Sequence, residues 1–169
     1  AEVAKTAADQ NIAYLRAPVS GSTALAETAS LTIFASGPRD FFEACKPIFD
    51  TMGQKCFYVG DGEQARFLKI VLNIMVGLSA GIVGEALAFG EKGGLDWAQM
   101  IDIVNNSVVA SPLVAYKAQM LKDRNFAPAF SVDQMAKDLD IALATAKNTQ
   151  VSVPMTSLMR QFLASMNAM

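Results

Sequence analysis

Residues 70–90 form an almost continuous apolar segment, which constrains the fold more than any other feature of the chain. The segment is about as long as a bilayer span, too long for a strand, and predicts one long helix. Asn73 and Glu85 interrupt it, and its glycines recur at three- and four-residue spacings that let a second helix approach closely. These features favour a buried central helix over a membrane span, so we expect no membrane partner.

Composition restricts both the partners and the chemistry. The chain has 169 residues, a formal net charge of -2 and no histidine. An acidic balance without a cluster of basic and aromatic residues argues against nucleic acid as a partner. Because histidine is absent, proton transfer would fall to lysine, aspartate, glutamate, tyrosine or cysteine. Cys45 and Cys56 show no metal-ligand spacing, and no signal-like segment is present, so we expect a cytoplasmic protein without a metal.

The pattern of the chain changes near residue 60. Before it, short β-type runs alternate with helical ones, which predicts helices over residues 1–10 and 38–52 and extended segments over 12–17, 31–35 and 56–59. After it, the pattern predicts helices over residues 62–92, 96–106, 111–123, 131–147 and 154–168. A sheet of three strands would leave one face uncovered, so we expect the first part to belong to something larger.

Turn and capping residues mark the ends of the helices in the second part. Gly93 and Gly94 end the long helix, and Asp96 and Ser131 are suited to cap the helices that follow them. A serine–proline pair opens the helix predicted from residue 111, and Pro154 breaks the chain before the last helix. These signals support an all-helical second part.

Lys69 and Asn73 are the strongest candidates for chemistry. They lie four residues apart at the start of the long helix, just after a strand-like run and a turn that contains Gly60 and Gly62. A four-residue step places both side chains on one helical face, where an ammonium can exchange a proton and an amide can hold a hydroxyl or carboxylate. Taken alone, the spacing also fits a surface lysine and an asparagine that satisfies a buried backbone group.

Several segments match a known family in the right order. Residues 17–22, Ala-Pro-Val-Ser-Gly-Ser, match a substrate-binding stretch, and residues 31–33 match the strand after it. Lys69 and Asn73 match a K-x-x-x-N pattern that follows a glycine-rich turn, and a late helix carries a matching lysine–aspartate pair. Over nearly its whole length the chain therefore resembles the β-hydroxyacid dehydrogenase family, which includes 3-hydroxyisobutyrate dehydrogenases and semialdehyde reductases within the 6-phosphogluconate dehydrogenase superfamily.

The resemblance implies the α/β edge of a truncated Rossmann domain, followed by an all-α domain built around one long central helix. Residues 1–60 would be the last strands and helices of an incomplete nucleotide-binding domain. Residues 61–169 would be an all-helical substrate and oligomerisation domain that forms a homodimer or homotetramer. The family's G-x-G-x-x-G turn has no match here, so we expect a fragment that is inactive by itself.

The resemblance also implies an oxidoreductase that interconverts a small β-hydroxyacid and its semialdehyde or ketoacid with NAD or NADP. Lys69 would be the general acid/base, and Asn73 would orient the reacting oxygen. Lys137 and Asp138 would lie near the cofactor. The substrate carboxylate would be held by three small residues of the first matching segment: Ser20, Gly21 and Ser22.

The chain departs from the family at places where glycine is usual. Ser22 and Ala29 stand at such places in and after the substrate segment. Glu63 and Ala65 do so in the turn before the lysine. Because glycine adopts backbone conformations that other residues resist, we expect the geometry of this turn to differ from that of the family.

Two alternatives to this enzyme stay open. The chain could be a catalytically inert helical dimerisation module, because it lacks the nucleotide-binding turn and has a small-residue face on its long helix. It could also be an imine-reductase-like enzyme of the same fold, although such enzymes do not usually carry lysine at the catalytic place. Taken alone, the serine–glycine–serine segment fits a strand-ending turn, and Lys137 with Asp138 fits an exposed pair.

Overall fold

The computed structural model describes residues 2–167, so the predicted helix ends at residues 1 and 168 lie outside the described residues. The chain divides into two compact units, Ala1–Leu72 and Asn73–Met169. The elements up to residue 60 are α1 (Glu2–Asp9), β1 (Val19–Ser20), α2 (Thr23–Glu27), β2 (Leu31–Ala35), α3 (Arg39–Met52) and β3 (Gly53–Tyr58). The later elements are α4 (Gln64–Lys92), α5 (Trp97–Asn105), α6 (Pro112–Ala115), α7 (Ala118–Lys122), α8 (Val132–Thr149) and α9 (Pro154–Asn167).

The first unit is built on a three-stranded sheet in the order β1-β2-β3. Strand β2 lies in the centre, pairs antiparallel with β1 and parallel with β3, and has largely buried side chains. The strand predicted over residues 31–35 is therefore confirmed. Strand β3 begins at Gly53 rather than at residue 56, because the backbone of Gly53 already pairs with Leu31.

The extended segment predicted over residues 12–17 is wrong in its position. Among the described residues of that segment, Arg16 alone pairs with the sheet, through an isolated bridge to Ser36, and strand β1 starts at Val19. Pro18 explains the interruption because it has no N–H to donate to the ladder. Its carbonyl accepts from the amide of Phe34 at 3.0 Å, so the pairing continues beyond it in the same register.

The buried side chain of Ser36 holds the turn between β3 and α4. Its hydroxyl donates to the carbonyl of Gly62 at 2.8 Å and accepts from the amide of Ala65 at 3.2 Å. Gly60 has a φ of 138°, a conformation that favours glycine, and its carbonyl accepts from the amide of Gly37 at 3.0 Å. These bonds determine where α4 begins and how its first turn is oriented.

Helix α4 is central to the helical unit. One buried cluster joins α8 and α9 around Leu139 and Leu163, with Ile74 of α4 packed against it. A second cluster joins α4 and α5 around Leu87 and Ile101. Since both clusters include α4, the prediction of an all-helical part around one long central helix is confirmed.

Glycines of α4 allow close approach of the neighbouring helices. A Cβ atom added at Gly77 would lie 2.9 Å from the sulfur of Met135 in α8, and one at Gly81 would lie 2.7 Å from the sulfur of Met159 in α9. Apart from the neighbouring backbone of α4 itself, nothing among the described residues lies within 4 Å of a Cβ added at Gly84. The expectation of close packing along the small-residue face is confirmed for two of these three glycines.

The predicted helix boundaries agree with the structure at the caps and disagree in one helix. Asp96, Ser111 and Ser131 each accept a hydrogen bond from the amide three residues later, as N-cap residues do. The helix predicted over residues 111–123 is wrong, because the chain there forms two short helices. A tight turn separates them, in which the amide of Lys117 bonds to the carbonyl of Val114. Helix α2 is an addition to the predicted elements.

Much of the apolar surface of α4 is left uncovered by its own chain. Within the described residues, α4 is the one helix long and apolar enough to cross a membrane by length and composition, and 6% of its most apolar stretch is buried. Met75, Ile82 and Phe89 are 61%, 62% and 82% exposed. They recur every seventh residue and form one stripe. The expectation that the long helix is buried is therefore wrong for this face.

Replacing Ser36 with alanine should lower the free energy of unfolding by about 1–3 kcal/mol, because the carbonyl of Gly62 and the amide of Ala65 lose their partner. Urea unfolding followed by circular dichroism measures this difference. The matched control is Ser157→Ala, which removes an exposed hydroxyl and should change the free energy by less than about 0.5 kcal/mol. Equal effects of the two substitutions would contradict the role assigned to Ser36.

Candidate active site

Lys69 lies half-buried on α4 in the first unit, beside the predicted substrate segment. Its ammonium donates to the carbonyl of Val19 at 2.8 Å, although the two residues are 50 positions apart in the sequence. Val19 precedes Ser20 in β1, so this bond fixes the ammonium next to that segment. An ammonium has three N–H donors, and one of them is committed to this carbonyl.

The predicted carboxylate-binding residues follow one another at the end of β1. Gly21 has a φ of 142°, a conformation that favours glycine, and a Cβ atom there would lie 2.7 Å from the side chain of Leu31. Within residues 2–167, the hydroxyls of Ser20 and Ser22 and the amides of Gly21 and Ser22 make no hydrogen bond to the protein. Four donors are therefore concentrated in one short segment, where they are available to an anion.

Asn73 is the first residue of the second unit, and its side chain is bonded to α8. The side-chain amide donates to one carboxylate oxygen of Asp138 at 2.6 Å. The other oxygen lies 3.0 Å from the ammonium of Lys137, whose side chain is 67% exposed, whereas that of Asp138 is 17% exposed. The three residues are therefore joined by one hydrogen bond and one ion pair through Asp138, and the Lys137 end is well exposed.

A charged cluster around Glu63 is absent from the sequence prediction. Arg16 donates to the carboxylate of Glu63 at 2.6 Å, and Arg66 lies 3.1 Å from the other oxygen. Arg66 also donates to the hydroxyl of Tyr14 at 3.1 Å. The hydrogen bond from Arg16, with the charges of both arginines, lowers the pKa of Glu63 below its ordinary value of 4.5. The sequence feature that could have revealed this cluster is Glu63 itself, which stands where the family usually has glycine.

The glycine turn before α4 does not fit the pyrophosphate of a dinucleotide. Such a site needs unoccupied backbone amides at the start of a helix. Here the amide of Gly62 donates to the side chain of Gln64 at 2.7 Å, and the amide of Ala65 donates to Ser36 at 3.2 Å. The exposed ammonium of Lys137, in contrast, fits a hydroxyl or carbonyl oxygen of a nicotinamide nucleoside.

The described part of the chain offers no metal centre. Among residues 2–167, no group of three or more histidine, cysteine, aspartate or glutamate side chains could hold a metal ion. Cys45 and Cys56 are free thiols.

Two family models cover the chain. The model of the NAD-binding domain of NADP-dependent 3-hydroxyisobutyrate dehydrogenase matches residues 63–169. The model of the NAD binding domain of 6-phosphogluconate dehydrogenase matches residues 1–60. The first of these matches covers more than half of the chain.

Individual relatives agree with the family models. The 2-(hydroxymethyl)glutarate dehydrogenase of Eubacterium barkeri is 34% identical over 99% of this chain and 56% of its own length. The 3-hydroxyisobutyrate dehydrogenase of Pseudomonas aeruginosa is 32% identical over 96% of this chain and 57% of its own length. The chain thus spans little more than half the length of these two relatives.

A solved structure confirms the fold. The crystal structure of a 3-hydroxyisobutyrate dehydrogenase from Salmonella typhimurium matches with a TM-score of 0.89 at 27% identity, covering 99% of this chain and 59% of that one. The predicted architecture, the edge of a Rossmann domain followed by a helical domain, is therefore confirmed.

Glu63→Gln should flatten the pH dependence of unfolding below about pH 5. Because the folded pKa of Glu63 is lowered, its ionised form stabilises the fold above the unfolded pKa, near the ordinary value of 4.5, and this stability is lost as pH falls through the folded pKa. Urea unfolding at a series of pH values measures the slope.

A second variant, Arg16→Gln, tests the same prediction from the other side of the contact. It removes the first partner of the Glu63 carboxylate and should flatten the same part of the pH profile. A wild-type slope in Glu63→Gln would show that the cluster contributes nothing to the acid response of the fold.

Proposed function

The chain belongs to the family of NADP-dependent 3-hydroxyisobutyrate dehydrogenases, and on that premise we propose that it is the substrate-binding part of an oxidoreductase. The whole enzyme interconverts a small β-hydroxyacid and its semialdehyde or ketoacid, with NAD or NADP as cofactor. The observation that carries this proposal is the hydrogen bond from Lys69 to Val19, which places an ammonium beside the unoccupied donors of the substrate segment.

Lys69 is the general acid/base of the proposed reaction. In reduction, its ammonium gives a proton to the substrate oxygen as the carbonyl becomes a hydroxyl. In oxidation, the neutral amine accepts the hydroxyl proton. Bound NAD or NADP supplies or accepts the hydride. A lysine in this role is consistent with a chain that has no histidine.

Ser20, Gly21 and Ser22 hold the substrate carboxylate. Support comes from the hydroxyls and amides of this segment, which make no bond to the described protein and lie next to the carbonyl that holds Lys69. Convergent amides and hydroxyls bind a carboxylate without a charged partner. The substrate is therefore anchored at its carboxylate beside the ammonium.

Asn73 and the pair on α8, which all belong to the second unit, have their own roles in the proposed reaction. Asn73 lies one helical turn after Lys69 on α4, a spacing that places both side chains on one face, and it orients the reacting oxygen. The exposed ammonium of Lys137 contacts the nicotinamide nucleoside, with Asp138 beside it. The phosphates are bound outside the turn that contains Gly62, because its amides are already occupied.

Lys69→Ala should lower kcat by roughly a hundredfold to ten-thousandfold, the contribution of a general acid/base. The measurement is nicotinamide absorbance with the whole protein, in the presence of glyoxylate or of succinic, tartronate or methylmalonate semialdehyde. Lys92→Ala, at the other end of the same helix, is the matched control and should retain wild-type turnover.

Three outcomes of that assay would contradict the proposal. Equal activity of Lys69→Ala and the wild type would remove the acid/base role. Turnover of cyclic imines without turnover of semialdehydes would favour the imine-reductase alternative. No turnover and no calorimetric binding of NADH or NADPH by the whole protein would favour an inert dimerisation module.

The protein assembles as a homodimer or homotetramer through the helical unit. The supporting observation is the stripe of Met75, Ile82 and Phe89, whose seven-residue spacing is that of a helix–helix seam. Self-association would cover this apolar surface and remove the need for a membrane partner. The free thiols of both cysteines are consistent with a cytoplasmic location.

Ile82→Glu should convert the oligomer into monomers, because it places a charge in the seam. Light scattering coupled to size exclusion, without detergent, measures the mass. Ile103→Glu is the matched control, since Ile103 is 61% exposed, close to the 62% of Ile82, but lies on α5. A monomeric wild type, or a wild type that is soluble only in detergent, would contradict the proposed assembly.

A further inference from the structure

The contact between Asn73 and Asp138 restricts the asparagine more than a surface pair would. The distance of 2.6 Å from the side-chain nitrogen to the carboxylate oxygen is short, as charge-assisted hydrogen bonds are. Lys137 occupies the other oxygen of the same carboxylate at 3.0 Å. With one partner on each oxygen and a side chain that is 17% exposed, Asp138 has little freedom to turn away.

This contact determines which end of the Asn73 amide faces α8. An ionised carboxylate only accepts hydrogen bonds, so the group that faces it has to be the NH₂ end of the amide. A flipped amide would bring its carbonyl oxygen against a carboxylate oxygen and lose the bond. Within residues 2–167, the side-chain carbonyl oxygen of Asn73 accepts no hydrogen bond, so it remains available to a ligand.

We propose that Asp138 is a positioning residue that acts through Asn73, by holding its side-chain amide in a single orientation. The proposal rests on the function proposed above, in which Asn73 orients the reacting oxygen. It differs from the role that the family resemblance implies, which places Asp138 near the cofactor. Lys137 supports the same contact by neutralising the carboxylate, and its exposed ammonium is the part of the pair that can reach a cofactor.

A double-mutant cycle separates the two roles of Asp138. If Asp138 acts through Asn73, Asp138→Ala, which removes the acceptor, lowers kcat about ten- to a hundredfold in the wild-type background, the value of a hydrogen bond to a charged group. In the Asn73→Ala background, it lowers kcat by no more than about twofold, because the orientation no longer matters. Equal losses in both backgrounds would overturn the proposal and assign Asp138 an independent contact.

The side-chain amide signals of Asn73 test the contact without any assay of activity. In the wild type, nuclear magnetic resonance should show one Asn73 amide proton shifted downfield and slow to exchange with water. Asp138→Ala should abolish both properties, because it leaves no side-chain acceptor for the Asn73 amide. Asp140→Ala, on the same helix and in an exposed pair with Arg160, should keep both and leave kcat unchanged. Unchanged Asn73 signals in Asp138→Ala would also overturn the proposal.

Exchanging the asparagine and the aspartate tests the contact even if a single substitution destabilises the fold. Asn73→Asp alone brings two carboxylates together at a contact of 2.6 Å and should lower the unfolding midpoint. Adding Asp138→Asn restores an amide–carboxylate bond in the opposite direction and should recover the midpoint but not kcat. No recovery would contradict the contact. If Lys69→Ala proves fully active while the resonance and unfolding results hold, the proposed function fails and the contact stands.

Discussion

The first unit depends above all on the buried hydroxyl of Ser36. Because this group both donates and accepts, one side chain joins the glycine turn to the first turn of α4. Lys69 lies one turn beyond Ala65, so a shift at this joint would turn the start of the helix and move the ammonium away from Val19. The acid/base chemistry proposed for Lys69 therefore relies on a serine whose own bonds are made within the protein.

Two carboxylates, one in each unit, are each held by two different groups. Glu63 lies between two arginines, and Asp138 lies between an ammonium and an amide. Because both oxygens of each group are engaged, rotation of the side chain breaks at least one bond. In the exposed pair of Lys46 with Asp50, a single ammonium bonds both oxygens, and such a pair contributes little order. Glu63 and Asp138 differ from it because two separate groups hold each of them.

Local patterns predicted much of the fold, and long-range contacts account for most of what they missed. The strand over residues 31–35 is a short apolar run, and the helix caps depend on residues three positions away, so both can be read from the sequence. Ser36 bonds to Ala65 across 29 positions, and Asn73 bonds to Asp138 across 65, so no local pattern contains either contact. The resemblance to a family supplied Asn73 and Asp138 as candidate site residues but not the contact between them, and it did not point to Ser36.

The glycines of α4 make the packing of the helical unit sensitive to methionine oxidation. Three of them face methionine sulfurs from other helices, in the pairs Gly77 with Met135, Gly81 with Met159 and Gly90 with Met100. A thioether is flexible and fills such a space well, but its sulfoxide is polar and larger. Since the sulfur in each pair occupies the place of a missing Cβ, an added oxygen would push two helices apart. Oxidation of these methionines would thus disturb the packing of this unit at three points without altering any residue of the proposed site.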